Sequence, residues 1–93
     1  MRTIKRTGVF RRDYKRVKTT PKHRGIENDL ALVLGLLVED KPLPSKYCDH
    51  PLTGNWKDHR DCHVKPDLLL IYRKPDDDTL QLVRLGSHSQ LSL

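Results

Sequence analysis

Phe10, Tyr14 and Val17 recur at helical spacing, and Arg11, Arg12, Asp13, Lys15 and Arg16 fill the positions between them. This pattern predicts an amphipathic helix with a narrow apolar stripe and a basic outer face. Thr19-Thr20-Pro21-Lys22 reads as a turn. Ile26, Leu30, Val33, Leu34 and Leu37 then form a broader stripe, so a second helix should pack more deeply than the first. Lys41-Pro42-Leu43-Pro44 ends it, and the short connection predicts an antiparallel helical hairpin. Arg2 to Arg6 can form a short strand ahead of the helices, with Thr7-Gly8 as the break.

Past Pro44 the period shortens. Trp56–Val64, Leu68–Tyr72 and Leu80–Leu85 are candidate strands, with short proline-containing connections that suit antiparallel hairpins. The middle strand is apolar on both faces, as a covered central strand should be. The expected architecture is α+β: one domain over residues 1–93, with an N-terminal helical hairpin packed on one face of an antiparallel sheet. If residues 64–66 form the first loop, His63 pairs with Asp67, and Asp61 and His59 lie opposite Leu69 and Ile71. Odd-numbered residues of the first two strands then share a polar face, while Trp56, Cys62, Leu68, Leu70 and Tyr72 face the helices. Pairing Arg73 with Leu80 would bring Arg84 and His88 to the polar face and send Val83 and Leu85 to the core. A slip of one residue would bury Arg84 instead. That register also sets Gly86 opposite Asp67, leaving room for a ligand.

Charge adds a partner class to this picture. The first 25 residues carry ten Lys/Arg and one acid, so the net charge of +6 originates there. Such asymmetry favours a polyanion such as nucleic acid. No run reaches the roughly 18 apolar residues of a membrane span, and the basic start lacks a signal peptide's apolar stretch. A cytoplasmic protein with no membrane partner is expected. Two cysteines are too few for a secreted disulfide framework.

Chemistry concentrates between residues 48 and 67, where three of the five histidines fall. Cys48-Asp49-His50 and Cys62-His63 raise the question of zinc. Their spacing does not match paired zinc-ligand motifs, and neighbours on a strand point to opposite faces, so neither metal nor cofactor is expected. His23 and His59 read as structural or solvated side chains.

Asp49-His50-Pro51-Leu52, Gly54, Trp56-Lys57, Arg60-Asp61, His63-Val64, Pro66-Asp67, Leu70-Ile71-Tyr72, Arg84 and Gly86-Ser87-His88-Ser89 together resemble the YafQ branch of the RelE/ParE superfamily of bacterial type II toxins. The resemblance covers nearly the whole chain. It implies a RelE-like fold and a ribosome-dependent endoribonuclease that cuts messenger RNA without a metal and is neutralised by a cognate antitoxin protein. By matched position it implies catalytic roles for His50, His63, Asp67 and His88, with Arg84 beside the phosphate. Arg11, Arg12, Lys15 and Arg16 are the expected RNA or ribosome contacts. The family often carries an aromatic residue four positions after the last histidine, where this chain has Ser92. The competing expectation is a non-catalytic binder of ribosomal RNA or of another target, which would use the basic helix but would not need the His/Asp set.

Overall fold

Helix α1 spans Gly8–Lys18 and α2 spans Ile26–Val38 in the computed structural model, which describes all residues from Met1 to Leu93. Around them lie strands β1 (Thr3–Arg6), β2 (His50–Pro51), β3 (Arg60–Lys65), β4 (Leu68–Arg73) and β5 (Thr79–Gly86), and a final turn of helix, α3 (His88–Leu91). The Thr7 hydroxyl caps α1 by accepting from the Phe10 N–H at 2.9 Å, and it donates to the Val83 carbonyl at 2.8 Å. One side chain thus starts the helix and fastens it to β5. Gly25, in left-handed backbone (φ 82°), turns the chain into α2.

The five strands run in the order β1-β5-β4-β3-β2. All neighbours are antiparallel except β1 and β5, which are parallel. The expected helical hairpin and sheet are present, and the first strand is the one departure from antiparallel pairing. It follows from α1, which carries the chain across the sheet between Arg6 and Gly25 before β5 returns beside β1. No helix is long and apolar enough to cross a membrane.

The sheet has one heavily packed side and one lightly packed side. Under the helices, Phe10, Val17, Ile26, Leu30, Val33 and Leu37 meet Cys62, Val64, Leu68, Leu70, Tyr72, Leu80, Leu82 and Leu85 in a single buried cluster. On the opposite face the buried apolar cluster is only Leu69, Ile71 and Leu91, flanked by Leu52, Trp56 and Val83. Trp56 therefore lies on the opposite side from the one its parity predicts. It ends a short 3-10 turn, Gly54–Trp56, rather than starting a strand, so alternation does not apply to it.

The strand registers also differ from expectation. Lys65 pairs with Leu68 around a two-residue turn, Pro66-Asp67, and a bulge separates Lys65 from His63. His63 consequently faces Leu69, and Asp61 faces Ile71. This is a shift of two positions, which preserves the common face of the odd-numbered residues but separates His63 from Asp67. Between β4 and β5, Arg73 pairs with Gln81, Ile71 with Arg84 and Leu69 with Gly86, across an irregularity at Val83. The cause lies in the apolar pattern itself: Leu80 and Leu82 are two apart, but the next core residue is Leu85. One additional residue must be absorbed for all three leucines to face the helices, and the bulge absorbs it. Val83 thereby leaves the helix side for the opposite face.

Candidate active site

His50 sits on the two-residue edge strand β2, directly across from Asp61 on β3. Its Nε2 lies 2.7 Å from the Asp61 carboxylate. Two positions along β3 and on the same face, His63 meets His88 edge to face, with ring centroids 5.3 Å apart. His88 arrives through the turn after β5, where Ser87 caps α3: its hydroxyl accepts from the Gln90 N–H, and the Gln90 side chain accepts from the Ser87 N–H. This reciprocal cap orders the first residue of a very short helix. Three imidazoles from three separate elements thus surround one carboxylate.

Asp61 is the unusual member. It is buried (2% exposed), and its Oδ1 has no aligned hydrogen bond despite the close approach of the His50 ring. Burial pushes its pKa up, and the three imidazoles of His50, His63 and His88 oppose that shift. A carboxylate hidden from water without a full set of donors is costly to folding, and such groups concentrate where chemistry is done. On sequence grounds Asp61 falls on the polar face without standing out among its neighbours. Its shared parity with His63 is the signal that could have found it.

Asp67, expected beside His63, lies in the Pro66-Asp67 turn and forms an ion pair with Lys22. That contact holds its pKa below the ordinary carboxylate value. The bulge at Lys65 shortens the hairpin loop and turns this carboxylate away from the histidine pair. Arg84 is likewise engaged elsewhere: its Nε and Nη2 donate to Asp13 on α1, at 2.7 and 3.3 Å, while Nη1 has no partner. Asp13 is buried and also accepts from the Leu85 N–H and from Arg16. Burial would raise its pKa, but the donors Arg84, Leu85 and Arg16 together hold it down. Arg16 further donates to the Leu85 carbonyl at 3.2 Å, so this member of the basic face ties α1 to β5. Arg11, Arg12 and Lys15 are exposed.

The remaining candidates fall outside the cluster. His59 is half-buried and packs edge-on against Trp56, and His23 is half-buried with an unpartnered Nδ1. Gly86 faces Leu69 rather than Asp67, and the space above it is filled by Gln90. Cys48 is exposed and Cys62 buried, both as free thiols. Burial raises the Cys62 pKa to about 12, which makes it an inert core side chain. No group of three or more His, Cys, Asp or Glu side chains is arranged to hold a metal ion. A cavity of about 230 Å³ opens beside His63, between Tyr47, Lys46, Lys65 and Pro66. The larger opening, about 360 Å³, lies between α1 and α2 and contains no histidine.

A helical hairpin on one face of a small sheet, with a histidine–carboxylate cluster on the other, defines the class: a RelE-like toxin of the RelE/ParE superfamily. Residues 2–93 match the family described as a bacterial toxin of type II toxin-antitoxin system, YafQ. The mRNA interferase toxin YafQ of Escherichia coli K12 is 42% identical over 91 residues, covering 97% of this chain and 95% of that protein. A toxin from Helicobacter pylori, solved in a metal-bound form, is 48% identical and superposes with a TM-score of 0.86 over 98% of this chain and 99% of its own. YafQ in the E. coli DinJ-YafQ complex is 39% identical, with a TM-score of 0.82 over 98% of each chain. The chain belongs to the YafQ family of type II toxins, whose enzymatic class is endoribonuclease.

Proposed function

We propose that this chain, acting as one toxin domain, cleaves messenger RNA on the translating ribosome by metal-independent acid–base chemistry at His50, Asp61, His63 and His88. The observation that carries this reading is the buried, incompletely bonded Asp61 surrounded by three imidazoles. In the reaction, the ribose 2′ oxygen attacks the adjacent phosphorus and the bond to the 5′ oxygen breaks, leaving a 2′,3′-cyclic phosphate and a 5′ hydroxyl. One proton must leave the nucleophile and one must reach the leaving group. Imidazole suits both transfers because its unperturbed pKa is about 6.5.

In this reading His50 is the base. Its Nε2 faces Asp61, which orients the ring and balances the charge it acquires. Its Nδ1, 3.1 Å from the Pro51 carbonyl, takes the ribose proton when that contact opens to the substrate. His88, packed edge to face against His63 just after β5, then supplies the proton to the leaving oxygen. Arg84 has one guanidinium nitrogen free for the phosphorane, and its bonds to Asp13 hold that cation in place. Asp67 keeps the role the family resemblance gives it, at the turn end of the same hairpin. RNA entering there would compete with its Lys22 partner.

The partner in the cell is a cognate antitoxin, as DinJ is for the E. coli relative. Primer extension on messages translated by purified ribosomes tests the reading. Discrete cuts within codons are expected, and alanine at His50, Asp61, His63, Asp67 or His88 should each lower the cleavage rate by roughly 10²–10⁴-fold. Arrested translation with intact messages would overturn it.

A further inference from the structure

Strand β2, which carries His50, is poorly secured by backbone alone. It is two residues long, lies at the sheet edge, and its second residue, Pro51, has no N–H to give. The preceding Cys48 is in left-handed backbone (φ 49°), so the chain reaches His50 directly from a sharp turn. Between them stands Asp49. Its Oδ1 accepts from the Tyr72 hydroxyl at 2.6 Å, and its two oxygens accept from Arg60 Nε and Nη2 at 3.3 Å each. Tyr72 is fully buried at the centre of the sheet and pairs across the strands with Arg60.

These contacts lie on the helix side of the sheet, where Tyr72 belongs to the core cluster. Successive side chains of an extended strand point to opposite faces. Asp49 and Arg60 therefore meet on one face, while their neighbours His50 and Asp61 meet on the other. We propose that Tyr72 and Arg60 act through Asp49 as the positioning set for His50, fixing the edge strand so that the imidazole stays against Asp61. None of the three is a catalytic residue, since none faces the reacting atoms. Burial, reinforced by the Asp49 carboxylate, pushes the Tyr72 phenol well above its ordinary pKa, so it remains a donor throughout the working pH range.

This positioning role rests on the proposed part played by His50, and its test separates the two. In the purified full chain, Tyr72→Phe removes one oxygen and keeps the buried ring. The His50 ring carbon and proton resonances should move and broaden while those of His23 stay in place. The cleavage rate constant should fall about tenfold, with little change in the KM for the ribosome–message complex. Asp49→Asn, which still accepts from Tyr72 but loses its charge toward Arg60, should fall between wild type and Tyr72→Phe. Arg60→Gln, at a half-exposed side chain the core does not depend on, should also move the His50 signals if Tyr72→Phe fails to fold. His50 resonances unmoved in Asp49→Asn and Arg60→Gln would overturn the positioning role. Displaced His50 signals with undiminished cleavage would leave the clamp intact and remove His50 from the reaction.

Discussion

Asp61 is a residue whose local environment serves the site at the expense of the fold. Burial raises its pKa above that of the unfolded chain, so the native state binds a proton more tightly than the unfolded state. The penalty is therefore absent at pH below the unfolded carboxylate value and develops as pH rises through the raised native value. Asp61→Asn keeps the shape and deletes the charge. At pH 7 the variant should match or exceed wild type in urea stability, by about 0.5–1 kcal/mol, while losing cleavage. The advantage should shrink as the pH is lowered toward 4. Urea midpoints at several pH values check this, and a variant less stable than wild type at pH 7 would refute it. Asp13, equally buried, is the opposite case, because Arg84, Leu85 and Arg16 all donate to it. The same side chain thus marks a joint in one place and a site in another, and the number of donors distinguishes them.

The elements themselves were legible in the sequence where the apolar period is long. Both helices and the three hairpin strands lie within a few residues of their predicted positions. The less regular features were not. Two bulges, at His63–Lys65 and at Val83, each insert a residue that plain alternation does not register, and together they move Asp67 and Val83 from their expected places. The Leu80-Leu82-Leu85 spacing carries the second bulge in plain view, because three core leucines cannot share a face without it. Where β2 would dock could not be read, since two residues have no period. The Ser87-x-x-Gln90 capping box is a sequence signature of α3 that the strand pattern obscured. That box also explains Gly86, where a Cβ would stand 2.9 Å from Gln90 Oε1 and 3.3 Å from its Cβ. Gly86→Ala should displace Gln90, loosen the cap by about 1 kcal/mol and carry His88 away from His63. Cleavage should drop, the ring contact should disappear from a crystal structure or from His63–His88 cross-peaks, and the unfolding midpoint should fall by no more than about 4–8 °C. Unaltered activity would show that α3 tolerates the shift.

Across the whole molecule, charge and chemistry are assigned to different parts. Arg11, Arg12 and Lys15 project from α1 on the helix side, whereas the histidine cluster occupies the opposite face. Arg16 and Arg84 connect the two regions through Asp13 and β5. Docking on ribosomal RNA through α1 should therefore be separable from the cutting step. Replacing Arg11, Arg12 and Lys15 with glutamine should weaken ribosome association and flatten its dependence on salt, by about 0.7–0.9 in logarithmic slope for each phosphate no longer neutralised. Single-turnover cleavage of ribosome-bound message should change much less. An unchanged salt slope would exclude this use of the helix. The division of the sheet into a thick side and a thin one also sets how much change each face tolerates. Fourteen buried apolar residues under the helices carry most of the folding stability, and the three on the other face carry little. Residues around the imidazoles can therefore be exchanged without bringing the chain near the threshold at which it no longer folds.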